Sequence, residues 1–296
     1  MATVGAALTA VTLGAAEADS EKSEELEEEE TPIFEAGFDF DFNSAYVWRN
    51  AVQTDDMVMQ PCVWADLTCF EPFWLGFSIW QNYDLTDRRR SAFKYGINET
   101  DYNVHFGATI WESEDAESSF GLELGHDWYT YYGVDDRASY PDTSEVYLKA
   151  TFDNPFVNVY GQVSYMYGDY GDYLQGVHYE IGFNKEVEVV ESLTAGVDWN
   201  VNFGDGRYLE YLYGTAADGV SHPDSGIGGT TVKLYLVWDI TDWMSLGGTV
   251  AYTGVLNGSA RQSLGDAGNV DYFGDGSNDM YPRDFFWGGI NLKLKF

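Results

Sequence analysis

The sequence predicts an all-β protein, a closed antiparallel β-barrel of about twelve strands that crosses a membrane. Three observations carry this prediction. Apolar and polar residues alternate with a period of two in about twelve successive runs, which indicates strands with one apolar and one polar face. Short turns and longer polar loops alternate between these runs. No run approaches the roughly 18 consecutive apolar residues that a membrane-spanning helix requires.

The alternation begins at Phe34 and continues to the C-terminus. The first run extends from Phe34 to Trp48 and predicts one continuous strand over that range. Further runs predict strands around residues 57–67, 73–84, 101–110, 120–131, 145–153, 157–165, 177–184, 193–203, 232–240, 245–253 and 286–296. An even number of strands of about ten residues, with short turns on one side and long loops on the other, is typical of transmembrane barrels.

Closure of the sheet follows from the chemistry of lipid. Every backbone N–H and C=O must be paired there, and an open sheet leaves two edges unpaired. The alternative is an exported soluble β-sandwich, which buries its apolar faces between two sheets. A sandwich would have turns of similar length at both ends, whereas this sequence has unequal ones.

The C-terminal stretch FFWGGINLKLKF predicts the closing strand. Its apolar face consists of Phe286, Ile290, Leu292, Leu294 and Phe296. An apolar strand that ends on Phe resembles the closing strand of bacterial outer-membrane β-barrels. The resemblance implies that these side chains form an assembly signal for the barrel-assembly machinery. It also implies short periplasmic turns and long extracellular loops.

A second resemblance concerns the segment SAYVWR at 44–49, followed by Asp55 and Gln60-Pro61. It resembles the opening hairpin of several uncharacterised bacterial outer-membrane barrel families, which place S-x-Y-V-x-R on the first strand. Such segments often carry Gly where this chain has Asn50. The resemblance implies an outer-membrane location, with lipid and lipopolysaccharide as the surroundings.

Charge indicates what the interior of such a barrel would contain. The net charge is −34, and most of the acidic excess lies in residues 32–296. This excess argues against nucleic acid as a partner and fits a cation-attracting lumen or a salt-adapted surface. The predicted pore-lining residues are Glu35, Asp39, Asp41, Arg49, Asp66, Asp101, Glu123, Asp127, Lys149, Glu180, Asp198, Lys293 and Lys295.

Rings of acidic side chains select for cations. We therefore predict a porin-like channel for passive diffusion of small cationic or neutral solutes, without cofactor or metal, with an oligomer as an open possibility. The alternative for the interior is that its charges pair in salt bridges and fill a narrow barrel. Arg49, near the loop side, is expected to pair with a lumen acid, with lipopolysaccharide binding as its alternative.

Two other functions are alternatives to the channel. A structural or adhesive barrel would bind through the long loops at 204–229 and 254–283. An enzyme is not predicted, because His126 and Asp127 are adjacent and point to opposite faces of a strand, and no G-x-S-x-G motif is present. Cys62 and Cys69 are expected to be separate thiols, since two residues seven positions apart on one strand lie too far apart for a disulfide.

The N-terminal region predicts an exported protein. Residues 1–18 contain a small apolar core and an A-x-A-like cleavage site at 16–18, so we expect a signal peptide whose true start lies upstream. A disordered Ala-rich N-terminus is the alternative. Residues 19–31 form an acidic tail that is expected to be disordered. The barrel is predicted to occupy residues 32–296.

Overall fold

The computed structural model describes residues 34–85, 96–132, 142–168, 175–213, 223–261 and 283–296. The predicted signal peptide (1–18) and acidic tail (19–31) lie outside the described residues. The chain forms, in order, β1 (Phe34–Asn43), β2 (Tyr46–Trp48), β3 (Ala51–Thr54), β4 (Val58–Phe70), β5 (Phe73–Asp84), β6 (Gly96–Glu112), β7 (Ser119–Tyr131), β8 (Thr143–Asp153), β9 (Asn158–Gly168), β10 (Gly176–Val190), β11 (Leu193–Gly204), α1 (Gly206–Tyr213), β12 (Gly226–Thr241), β13 (Met244–Val255) and β14 (Asp284–Lys295).

All of these strands except β2 and β3 form one closed antiparallel barrel. Strands that follow one another in the barrel wall are neighbours, and the first and last strands close the ring. This confirms the predicted twelve-stranded barrel. It also shows that the β-sandwich alternative is wrong. No helix within the described ranges is long and apolar enough to span a membrane.

The barrel is apolar outside and polar inside. Leu124 and Leu234 on the outer face are 55% and 54% exposed, whereas Asp127 of the opposite parity is 1% exposed. Outward aromatic side chains gather near both rims, with Trp111 and Trp243 beside the short turns and Trp128, Tyr165 and Tyr167 towards the long loops. Such aromatic girdles mark the two membrane–water interfaces of a spanning barrel.

The seam between β1 and β14 closes the barrel. Gly37 is opposite Lys295, and Asp39 is opposite Lys293. The backbone pairing continues to the last residue, because Phe296 N–H donates to Ala36 C=O at 2.8 Å. The Lys295 ammonium lies 3.0 Å from the Glu35 carboxylate, the neighbourhood that the alternating pattern predicts.

The structure corrects the prediction for the first strand. β1 ends at Asn43 instead of continuing to Trp48, so the SAYVWR segment is not part of the barrel wall. Tyr46 and Trp48 share the parity of the outward Phe residues, yet both are buried inside the barrel. The chain bends at Ser44 and Ala45 and turns inward, where the two aromatic rings find apolar partners.

Candidate functional site

Residues 44–57, which we call the plug hairpin, connect β1 to β4 and fold into the barrel. β2 pairs with β3, and Arg49 and Asn50 form the two-residue turn between them. Both turn residues have positive φ, 47° and 64°. Two left-handed residues in a row are the feature of a type I′ turn, which matches the twist of a hairpin. Asn adopts this conformation readily, whereas Arg does so at a cost of roughly 1–2 kcal/mol.

Contacts to several walls of the barrel hold the tip of the plug hairpin. Asn202 on β11 donates its side-chain amide to Arg49 C=O at 2.6 Å. Asn50 donates its side-chain amide to Gly229 C=O on β12 at 3.1 Å. The Arg49 guanidinium forms an ion pair with Glu145 on β8. The tip therefore crosses the lumen from its root at β1 and β4 and contacts strands of the far wall.

The body of the plug hairpin packs on aromatic rings of the wall and of α1. The Tyr46 ring lies 5.4 Å from the Trp80 ring on β5. The Trp48 ring lies 5.9 Å from the Tyr129 ring on β7 and 6.0 Å from the Tyr211 ring on α1. These contacts place an apolar cluster inside a barrel whose wall is otherwise polar.

α1 fills the remaining space beside the plug hairpin. Asp205 caps its N-terminus, because the Asp205 carboxylate accepts a hydrogen bond from Tyr208 N–H at 2.8 Å. The side chains of Tyr208, Leu209, Leu212 and Tyr213 are buried. The loop between β11 and β12 thus contributes to the interior and is not wholly a surface loop.

These elements fill part of the interior on the long-loop side. Tyr129, Glu145, Asn82 and Asn202 point inward there and are 0% exposed, so water does not reach them. On the short-turn side the interior is accessible, since the side chain of Asp66 is 33% exposed and that of Lys295 is 50% exposed. We call this accessible half the vestibule. Whether the lumen is open, or filled by paired charges, stays a prediction.

Arg49 is held by a carboxylate, a hydroxyl and two aromatic rings. One guanidinium nitrogen pairs with Glu145, and the other donates to the Tyr208 hydroxyl at 2.9 Å. The guanidinium carbon lies 4.8 Å from the centre of the Trp48 ring and 5.7 Å from that of Tyr208. This confirms that Arg49 pairs with an acid inside the barrel. Its buried position does not suit binding to lipopolysaccharide.

Charge keeps the guanidinium protonated in this position. Burial disfavours the charged form, but the groups around Arg49, Glu145 first among them, together raise the pKa of Arg49 well above its ordinary value. Arg49 is therefore charged at physiological pH, and its ion pair with Glu145 does not depend on a change of protonation of Arg49.

Four buried carboxylates surround the tip on one side of the barrel, and we call them the acidic wall. They are Glu99 and Asp101 on β6, Asp127 on β7 and Glu145 on β8. Asn103 donates to one oxygen of Asp127 at 2.7 Å. Within the described part of the chain, both Asp101 carboxylate oxygens and one oxygen each of Asp127 and Glu145 have no hydrogen-bond partner. Arg49 is the one buried Arg or Lys of the described residues, so acidic side chains outnumber such cations at the acidic wall.

Sequence reasoning placed Asp101 and Asp127 among the pore-lining residues and missed Glu99 and Glu145. Both missed residues share the inward parity of their strands, which was the available signal. The contact partner could not be found in the same way, because Arg49 and Glu145 are 96 positions apart.

The other predicted lining residues lie on the inner face, mostly in the vestibule. The structure pairs Glu35 with Lys295 (3.0 Å), Asp41 with Asn291 (2.7 Å), Asp66 with His105 (3.6 Å), Glu123 with Tyr147 (2.9 Å), Glu180 with Tyr160 (2.8 Å) and Asp198 with Lys233 (3.7 Å). Lys149 and Lys293 lie over the rings of Tyr160 and Trp64, at 5.8 and 5.5 Å. Asp39 faces Lys293 across the seam. Whether these residues line a conducting path stays a prediction.

The predicted assembly residues lie on the outer face of β14 and just beyond it. Phe286, Ile290 and Phe296 are exposed, and Leu292 and Leu294 are partly covered. This position leaves their side chains accessible to lipid or to another protein. Their role in assembly stays a prediction.

Comparison with known proteins adds information on the fold alone. No protein-family model matches the chain, and no curated protein sequence matches it. An outer-membrane channel from Pseudomonas putida F1 is similar in structure, with a TM-score of 0.50 and 10% identity over 93% of this chain and 100% of that one. The NanC porin has a TM-score of 0.49 and 9% identity over 88% of this chain and 100% of that one. Outer membrane phospholipase A from Escherichia coli has a TM-score of 0.43 and 12% identity over 88% of this chain and 89% of that one.

The class of protein follows from the barrel and from the first of these structures. The chain has the fold of the outer-membrane β-barrels, with an apolar belt outside and a polar interior. Its particular feature within that class is the inward plug hairpin beside an acidic wall.

Proposed function

We propose that the protein is a non-enzymatic, porin-like channel of the bacterial outer membrane that the plug hairpin closes at rest. When the plug hairpin withdraws, small cationic or neutral solutes pass, with a preference for cations. The observation that carries this proposal is the hairpin tip itself, which crosses the lumen and is fixed by Glu145, Asn202 and Gly229.

The orientation and surroundings belong to the same proposal. The short turns face the periplasm, so the vestibule opens there, and the plug hairpin closes the extracellular half. Outer-membrane lipid contacts the apolar belt, and lipopolysaccharide lies around the long loops. Assembly machinery would deliver the chain to this membrane. A structural or adhesive barrel remains the competing function, and the tests below distinguish it from a channel.

A covalent lock on the plug hairpin provides the direct test. A Cβ atom built at Gly229 lies 2.9 Å from the Asn50 Cβ, and a disulfide requires about 3.5–4.5 Å. A shift of the tip that also relieves the Gly254 carbonyl and the Tyr213 hydroxyl, each 2.9 Å from the built Cβ, would let Asn50→Cys and Gly229→Cys form a disulfide in a background with Cys62→Ser and Cys69→Ser. We expect the oxidised barrel to be silent in a planar bilayer and the reduced barrel to show openings.

Each single-cysteine variant, treated with the same oxidant, is the matched control and should conduct as the reduced double variant does. Equal conductance of the oxidised and reduced double variants would show that the plug hairpin does not close the channel. If the folded barrel conducts in neither state, the structural or adhesive function is favoured.

Cation preference is tested at two acids of the first strand. Asp39 and Asp41 face the interior of the vestibule, and Asp41 accepts a hydrogen bond from Asn291 at 2.7 Å, which an amide oxygen can also accept. We expect Asp39→Asn with Asp41→Asn to move the reversal potential in a salt gradient towards zero without loss of folding. The reason is that removing negative charge from the lumen weakens attraction for cations.

Asp115 and Glu117 in the turn between β6 and β7 provide the matched control, since they carry equal charge on the exposed rim. Asp115→Asn with Glu117→Gln should leave the reversal potential where it is. An unchanged reversal potential in the Asp39 and Asp41 variant would contradict selection by lumen charge.

A further inference from the structure

We propose that the place occupied by the Arg49 side chain is a binding site for guanidinium-bearing solutes, and that such a solute competes with Arg49 and thereby releases the plug hairpin. The second half of this inference rests on the proposed channel function. The binding site itself rests on the geometry around Arg49.

The contacts of Arg49 describe what the site recognises. Glu145 accepts from one guanidinium nitrogen, and the Tyr208 hydroxyl accepts from another at 2.9 Å. The Tyr208 ring, which is not part of the plug hairpin, lies against the guanidinium carbon at 5.7 Å, and while the hairpin is in place the Trp48 ring does so at 4.8 Å. A carboxylate, a further acceptor and an aromatic face together suit a planar, weakly hydrated cation, and they suit it better than a small inorganic ion.

Every one of these groups is buried, and one more buried carboxylate is nearby. Glu145, Trp48 and Tyr208 are all more than nine-tenths buried, as is Arg49 itself. Asp127 lies opposite Glu145 in the strand register, and each of the two has one oxygen without a hydrogen-bond partner among the described residues. Unpaired buried carboxylates are costly, so an additional cation at this place would be stabilised.

The remaining acidic groups explain why an incoming solute can compete. Arg49 pairs with one of the four acidic side chains of the acidic wall, and a cation that enters beside it can pair with Asp127, which lies opposite Glu145 in the strand register. Arg49 also sits in a left-handed conformation that costs free energy in the closed state. A free guanidinium carries no such backbone strain.

The vestibule shows how cations approach the acidic wall. Three lysine ammonium groups lie over inward aromatic rings, Lys293 on Trp64 at 5.5 Å, Lys149 on Tyr160 at 5.8 Å and Lys233 on Trp287 at 6.0 Å. Each of these ring faces holds an ammonium group of the protein itself, which shows that rings on the inner surface take up cations. Tyrosine–carboxylate pairs such as Tyr147 with Glu123 lie on the same inner surface. Solutes with an ammonium or guanidinium group would meet alternating rings and carboxylates on the way.

The test uses the full-length, purified Arg49→Ala barrel, in which the place of the guanidinium is emptied. We would titrate methylguanidinium chloride at constant ionic strength and follow tryptophan fluorescence and binding heat. Saturable binding is expected, weaker in the wild type because Arg49 occupies the site. The double variant Arg49→Ala with Glu145→Gln lacks the carboxylate that pairs with the ligand. It should bind methylguanidinium at least about tenfold more weakly than Arg49→Ala does. Methylammonium should bind more weakly than methylguanidinium.

Arg261→Ala is the matched control, since Arg261 forms the exposed ion pair with Asp284 at 2.9 Å. Arg261→Ala should bind methylguanidinium as weakly as the wild type does. Where Arg49→Ala does not fold, Arg49→Gln keeps much of the side-chain volume and also removes the charge. Absence of saturable methylguanidinium binding in a folded Arg49 variant overturns the site. Equal binding by the Glu145→Gln double variant overturns it too.

The two proposals fail in different ways. A variant that binds methylguanidinium but never conducts contradicts the channel and leaves the site intact. A wild-type channel whose open probability does not rise with methylguanidinium, although the Arg49→Ala barrel binds it, overturns the competition with Arg49.

Discussion

Replacing Arg49 by Ala is expected to convert a mostly closed barrel into a conducting one. The substitution leaves Glu145 buried without its cation, and removal of one partner of a buried ion pair costs about 3–5 kcal/mol. Shifting an equilibrium from 1:99 to 99:1 takes about 5.5 kcal/mol. The loss is therefore large enough to populate the withdrawn state strongly, because water can hydrate Glu145 only when the plug hairpin leaves. Single-channel open probability measures this effect.

Several contacts limit how far the equilibrium moves. The backbone of the tip still accepts from Asn202, and Trp48 still packs on Tyr129. We therefore expect flickering openings in Arg49→Ala and not a permanently open pore. Replacing both partners, Arg49→Gln with Glu145→Gln, removes the unpaired charge and should close the barrel more than Arg49→Ala does.

Arg261→Ala again provides the control, since its ion pair lies exposed at the rim and contributes little. A folded Arg49→Ala barrel that stays as silent as the wild type would show that the ion pair does not set the equilibrium. Migration on a gel before and after heating establishes that each variant is folded.

The sequence alone was sufficient for the barrel wall because the wall follows a local rule. Each strand must present an apolar side chain to lipid at every second position, and residues such as Leu124 and Leu234 obey it. The number of strands and the alternation of short and long connections follow from the same pattern. The closing contact between Lys295 and Glu35 could be predicted because both ends of the chain meet in any closed barrel.

The plug hairpin could not be predicted by that rule. Tyr46 and Trp48 continue the parity of the outward Phe residues, so periodicity alone extends β1 across them. What turns the chain inward is a long-range set of contacts with Glu145, Tyr129 and Trp80, which no local pattern contains. The one local signal was Asn50, which stands where the outer-membrane segments that it resembles often carry Gly. Both residue types adopt the left-handed conformation that the hairpin turn requires.

Only part of the acidic wall could be predicted, because strand alternation is local and the burial of these acids depends on long-range contacts. Alternation assigns Asp101 and Asp127 to the interior but does not say which interior residues are dry. Water is excluded there by the plug hairpin and α1, and both come from loops. The division of the interior into a wet vestibule and a dry extracellular half is thus a property of loop packing, which the strand pattern does not determine.

Phe296→Ala is expected to lower the amount of assembled barrel in cells severalfold, with little effect on the stability of the folded protein. Phe296 is 73% exposed and packs little against the wall, while its backbone pairing with Ala36 does not depend on the side chain. An exposed aromatic at the end of the closing strand is available for recognition by another protein, which is the assembly role that we propose for it. The measurements are the folded fraction in isolated outer membranes and the midpoint of unfolding in urea.

Phe34→Ala is the matched control for this experiment. Phe34 is 61% exposed and lies at the same end of the seam, on the strand that pairs with β14. If exposed aromatic area at the rim were all that mattered, the two substitutions would lower assembly equally. A specific role of the C-terminal side chain requires a fall in folded barrel for Phe296→Ala alone, with equal urea midpoints for both variants. Two results would assign Phe296 to packing at the membrane interface and not to assembly. One is an equal loss of folded barrel in cells for both variants. The other is a fall in the urea midpoint of Phe296→Ala that is large enough to explain its loss of folded barrel.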